Sequence, residues 1–188
     1  MKTILKRTTL VIFLGLILSC SNDSSCVPIT CLNGGTATPD CGCNCPEGYF
    51  GTDCSSEKMP AKILISKIRI NKFPNDGGGV DDLATNPDLF ISLIKDNINI
   101  YTSTTYFSNA NGDGSINYDY SFTTPIECTV ASPIFLLELW DYDSNTDNDL
   151  MGTIVVSPYL DFKGFPSSII IQDDNKNFIG EIFVTYKW

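Results

Sequence analysis

Phe178-Ile179-Gly180-Glu181-Ile182-Phe183-Val184-Thr185-Tyr186-Lys187-Trp188 is the stretch that decides the fold class. Ile182, Val184, Tyr186 and Trp188 alternate with Glu181, Thr185 and Lys187. An extended backbone sends successive side chains to opposite sides, so a period of two marks a strand with one buried face. Working outward, brief apolar runs bounded by Gly, Asn, Asp or Pro recur at Ile63–Ile70, Leu89–Ile94, Ile98–Phe107, Ile116–Phe122, Ile134–Leu139, Met151–Val156 and Ser168–Ile171. No helix-period stretch interrupts them. Eight strands over 61–188 predict an all-β, antiparallel β-sandwich.

Each connection in such a chain reverses direction, so the loops after the first, third and fifth strands share one end. These are 72–87, 108–115 and 141–149, all rich in Asp, Asn or Gly, whereas the short connection 95–97 falls at the other end. The fifth strand and its loop read Leu136-Leu137-Glu138-Leu139-Trp140-Asp141-Tyr142-Asp143, followed by Asp149-Leu150-Met151-Gly152. Across 61–188 this resembles a C2 domain, a β-sandwich that binds calcium, and often phospholipid, through three loops at one end. The family's third loop runs Trp-Asp-x-Asp-x5-Asp-Phe-x-Gly, which this chain matches at Asp141, Asp143 and Asp149, with Leu150 in place of Phe. The first loop of the family ends in Asp-Pro-Tyr. Here Asp88-Leu89-Phe90 follows Pro87, and either Asp81 or Asp82 stands as the upstream partner.

The resemblance implies a calcium site formed by Asp81 or Asp82, Asp88, Asp141, Asp143 and Asp149. The spacing has a chemical reason. Calcium takes six to eight oxygens at about 2.3–2.6 Å, more than one loop can present. Carboxylates gathered at one edge also repel each other unless a cation intervenes. The bland alternative is a set of solvated turns, since Asp and Asn are ordinary turn formers. The middle loop, Asn109-Ala110-Asn111-Gly112-Asp113-Gly114-Ser115-Ile116, is similar to the first eight positions of an EF-hand loop. However, Tyr120 stands where a bidentate Glu is required, so an EF-hand is excluded, and Asn111 and Asp113 are left as auxiliary ligands.

At the other end of the sequence, Lys2, Lys6 and Arg7 precede an apolar run from Leu10 to Leu18. That run is about half the roughly 20 residues needed to span a bilayer, so it reads as a signal peptide, 1–19. Ile17-Leu18-Ser19-Cys20 resembles a lipobox, which implies covalent lipid on Cys20 and a tether over 20–25. The expectation is a lipid-anchored protein of a Gram-negative outer membrane, facing either the periplasm or the cell surface. Lipid then handles the membrane contact. The signal holds three of the twelve basic residues and none of the twenty-two acidic ones, so the remainder carries nine against twenty-two, a net charge of −13. Such a chain repels nucleic acid.

Of eight Cys, six lie between Cys26 and Cys54, at Cys26, Cys31, Cys41, Cys43, Cys45 and Cys54. Clustered Cys in an exported chain read as disulfides, because some 29 residues cannot bury enough apolar surface to hold a fold. The Cys-x-Cys spacing is too tight for structural zinc, and thiolates do not persist in an oxidising compartment. Together with Leu32-Asn33-Gly34-Gly35 and Cys45-Pro46-Glu47-Gly48-Tyr49-Phe50-Gly51, residues 26–54 look like an EGF-like domain. That resemblance implies pairing of Cys26 with Cys41, Cys31 with Cys43 and Cys45 with Cys54. The acidic pattern of calcium-binding members is missing before Cys26, so no calcium is assigned there. A polar linker, 55–60, joins this module to the sandwich.

With no His and no phosphate-binding Gly-Lys loop, the common catalytic constellations are absent. Cys128, lacking a His to activate it, is expected to be a buried small hydrophobe. A carboxylate pair such as Glu138 with Asp141 suggests acid–base work, but Asp141 is better explained as a calcium ligand. The expected function is non-catalytic, calcium-dependent binding of a glycan or protein at the acidic loop edge. A structural envelope stalk without a calcium role is the alternative.

Overall fold

The computed structural model describes residues 27, 29–74, 86–130, 134–144, 147–159, 164–175 and 177–188. The N-terminal part holds two small hairpins, β1 (Thr36–Ala37) with β2 (Cys43–Asn44), and β3 (Tyr49–Phe50) with β4 (Ser56–Glu57). Disulfides join Cys31 to Cys43 and Cys45 to Cys54, with Cα–Cα separations of 5.7 and 5.4 Å, as the resemblance implied. Cys41 is also disulfide-bonded, and Cys26 lies outside the described residues.

Beyond it come β5 (Lys62–Lys72), β6 (Leu89–Lys95), β7 (Ile98–Thr102), β8 (Asp113–Cys128), β9 (Phe135–Asp141), β10 (Asp149–Val156), β11 (Ser168–Gln172) and β12 (Ile179–Lys187). They form two four-stranded antiparallel sheets, ordered β10-β9-β6-β7 and β11-β12-β5-β8. The predicted all-β sandwich is therefore what the chain adopts. Its core comprises Ile63, Ile65, Ile68 and Ile70 from β5, facing Leu89, Ile91 and Leu93 from β6 and Leu137 and Leu139 from β9, all fully buried. Burial of each such side chain stabilises the fold by about 1.5–3 kcal/mol. The β5 isoleucines change parity between Ile65 and Ile68, which a strict period of two forbids. A register shift between Ile65 and Lys67 absorbs the extra residue and returns Ile68 to the core.

Two strands differ in length from their sequence reading. Ile98–Phe107 stops as a strand at Thr102, and Phe107 returns only as an isolated bridge to Leu89. Conversely, β8 runs well past Ile116–Phe122 on both sides, through Thr123, Thr124 and Pro125. It lies at a sheet edge, where Pro removes no ladder bond and outward polar residues hide the alternation. The 95–97 connection is a tight hairpin. Asp96 and Asn97 both take positive φ, 50° and 62°, the pattern of a type I′ turn whose twist suits the flanking strands.

The stretch read as a linker, 55–60, carries β4 and is bonded on both sides. Lys58 N–H donates to the Gly48 carbonyl, Trp188 Nε1–H to the Lys58 carbonyl, and Ala61 N–H to the Lys187 carbonyl, at 2.7–2.8 Å. Tyr49, Phe165, Tyr186 and Trp188 pack edge to face around Gly48, with centroids 5.0–5.2 Å apart for Phe165 and each of the other three. Gly48 has φ +92°, and a Cβ there would lie 2.5 Å from the Trp188 ring, so only Gly admits this approach. The disulfide module thus docks on the end of the sandwich where β5 begins and β12 ends.

Candidate functional site

Three loop segments meet at the opposite end. Ala110 N–H donates to the Pro87 carbonyl at 2.7 Å, Tyr142 N–H to the Asp88 carbonyl at 2.9 Å, and Phe73 N–H to the Gly112 carbonyl at 3.1 Å. Carboxylates complete the joint. Asp88 N–H donates to Asp141 Oδ1 at 2.6 Å, and Asn109 N–H donates to Asp88 Oδ1 at 2.9 Å. Asp141 is 1% exposed, at the inward-facing end of β9, where a hydrogen bond to a backbone amide offsets part of the cost of burying a carboxylate. Asp149 faces Asp141 in the β9–β10 register, and Asp143 N–H donates to Asn148 Oδ1 at 3.0 Å. The convergence predicted from strand counting is therefore present, and it brings Asp88, Asp141, Asp143 and Asp149 to one end.

Asn111 and Asp113 are engaged with each other. Asp113 N–H donates to Asn111 Oδ1, Asn111 Nδ2 donates to Asp113 Oδ2, and Ser115 N–H donates to Asp113 Oδ1 at 2.8 Å. Hydrogen bonds from Ser115, above all, hold the Asp113 carboxyl below its usual range. Asp81, Asp82 and Cys20 lie outside the described residues. The donor set at this end is all oxygen and suits a hard divalent cation. Yet among the described residues no three acidic, His or Cys side chains stand close enough together to hold a metal ion. Asp88 and Asp141 each also give an oxygen to a backbone amide. The described residues alone do not complete a calcium shell. A cavity of about 240 Å³ opens nearby between Pro74, Met151, Thr153, Asp173 and Phe178. It is smaller than the roughly 300–1,000 Å³ typical of small-molecule clefts.

Glu138 and Asp141 do not form a couple. Three residues apart on one strand, they point to opposite faces, Asp141 inward and Glu138 outward. On the outer face Glu138 Oε2 accepts from Ser92 Oγ at 2.8 Å and Trp140 Nε1 at 3.1 Å, and Trp140 Nε1 also reaches Ser92 Oγ at 3.0 Å. Sequence reading missed this network. Its signal was the polar and aromatic set on the alternate positions of two strands, which only the register brings side by side. Cys128 is a buried free thiol, as expected, and burial raises its pKa.

No protein-family model matches the chain, and neither does any curated protein. Solved structures similar to it include a C2 domain (15% identity, 68% of this chain and 98% of that one, TM-score 0.43). A C2 domain of a plant extended synaptotagmin 1 is also similar (15%, 70% and 97%, TM-score 0.43), as is a C2 domain protein from Ramazzottius varieornatus (11%, 69% and 91%, TM-score 0.37). Likenesses at this identity and TM-score carry no functional weight.

Proposed function

We propose that this chain is a non-catalytic display protein, lipid-anchored at Cys20 in an outer membrane, whose EGF-like module holds a C2-like sandwich so that its acidic loop end binds a glycan or protein ligand with the help of calcium. One observation supports this reading above the others: the module docks at one end of the sandwich and the three Asp-bearing loops meet at the other. The eleven residues of β5 separate the two ends by roughly 35 Å. A tether at the N-terminal side therefore presents the carboxylates away from it. Asp88, Asp141, Asp143 and Asp149, joined by Asp81 or Asp82, are the proposed ligands.

A second reading, a structural stalk without calcium, draws on a specific observation as well: Asp88 and Asp141 serve as caps for backbone amides. Thermal unfolding of the full chain separates the two. A ligand at a hundred times its Kd stabilises by about 2.7 kcal/mol, which for a chain of this size raises the midpoint by about 5 °C or more. Millimolar calcium should give such a rise, and Asp143→Asn with Asp149→Asn should abolish it. An unchanged midpoint in the unsubstituted chain leaves the stalk.

A further inference from the structure

The outer face of the β10-β9-β6-β7 sheet carries one parallel aromatic pair, and a second stands next to it just past the strand ends. Phe90 and Trp140 are opposite each other in register and stack with centroids 6.2 Å apart and planes 17° apart. Tyr142 lies two residues beyond Trp140, and its N–H bond to the Asp88 carbonyl carries the strand ladder one row further. Its ring stacks on Tyr106 at 4.6 Å and 15°, and the two tyrosines are 38% and 45% exposed. Phe90 and Trp140 are half-buried and the two tyrosines stand open to solvent, and an exposed aromatic pair continued by a half-buried one is a surface of the kind that binds.

The charge around the strip selects the occupant. Glu138 sits one row below Trp140, fixed by Ser92 and Trp140 through Oε2, and Asp88 lies beside Tyr142, whose N–H it accepts through its carbonyl. None of the residues in these rows is Lys or Arg, in a chain with twenty-two acidic against twelve basic groups. Aromatic faces beside carboxylates attract cations. A guanidinium fits better than an ammonium, because it stacks flat on a ring while its edge donates to a carboxylate. Rows two residues apart on a strand are about 7 Å apart, the spacing of alternate residues in an extended peptide.

We propose that this strip docks an extended, arginine-bearing segment of a partner protein, with two arginines at i and i+2 lying on the successive aromatic pairs. The site shares Asp88 with the proposed calcium ligands, so it is tested with calcium removed. Binding of the labelled peptide Gly-Ser-Arg-Ser-Arg-Ser-Gly to the full chain, followed by fluorescence anisotropy in EDTA, tests it independently of the calcium reading. The peptide should bind more tightly than its Lys-for-Arg counterpart. Tyr142→Ser or Tyr106→Ser, neither of which changes the charge, should weaken it about tenfold, and Tyr142→Phe should restore it. The Tyr106 variant serves if Tyr142→Ser perturbs folding; unchanged thermal midpoints verify the fold. Equal affinity for the Lys peptide, or serine variants that bind as well as the unsubstituted chain, would mean diffuse attraction to net charge and overturn the proposal. So would tyrosine-dependent binding of a neutral oligosaccharide such as cellohexaose with none of the peptide.

Discussion

The two ends of the sandwich are closed by opposite means. At one, an aromatic cluster of Tyr49, Phe165, Tyr186 and Trp188 packs the disulfide module against the strand ends. At the other, Asp88 and Asp141 knit three loops by accepting backbone N–H bonds. The first closure buries apolar surface and is largely indifferent to solution conditions. The second is polar, built of hydrogen bonds from backbone amides to carboxylates.

Breaking the apolar end should give the largest effect. Cys45→Ser with Cys54→Ser removes the crosslink beneath Gly48 and Tyr49, and loss of a native disulfide from a small module costs about 2–5 kcal/mol. Trp188 emission should shift red as the module detaches, while far-UV dichroism of the sandwich persists; loss of both together would show that the sandwich depends on the module. At the polar end, Asp141→Ala leaves the buried Asp88 N–H without its acceptor and should cost about 1–3 kcal/mol in urea unfolding. A cost near zero would make the carboxylate dispensable to loop closure.

The comparison is sharpened by a carboxylate at neither end. Asp119 on β8 takes two hydrogen bonds from Arg69 at 2.6 and 2.9 Å and one from Lys67 at 3.2 Å. Arg69 foremost holds its carboxyl below the usual range. A lowered folded pKa adds stability that is complete above the unfolded value of about 3.9 and is lost as pH falls through the folded one. The group is partly exposed, so the amount is about 0.5–1 kcal/mol. Asp119→Asn should remove that amount at pH 7 and flatten the stability profile below pH 4. An unaltered profile would show that the Arg69 pairing adds nothing to stability in acid.

Much of the sandwich was legible because its strands bury one face, and burial writes itself as alternation: β12 and β9 read directly. Edge strands escape this rule. In β8 outward polar residues and Pro125 sit where nothing is buried, so its true length was hidden. The loop end was legible in outline, since the direction of each antiparallel connection follows from counting. What Asp141 does there was not. An inward carboxylate and a solvated ligand are the same letter, and only packing shows that this one is 1% exposed and caps an amide. The docking of the module was equally hidden, since Phe165 comes from a stretch without a strand signal and meets Gly48 only in three dimensions.

The end-to-end arrangement of module and loops also has a mechanical meaning. A pull between the two ends runs along β5, which lies between β12 and β8 and pairs with both over most of its length. Force in that direction loads the ladder bonds in shear, so many must yield together instead of opening one by one from an edge. The first element to give is then the short Gly48–Lys58–Trp188 joint, and the sandwich stays folded under tension that would peel a hairpin apart.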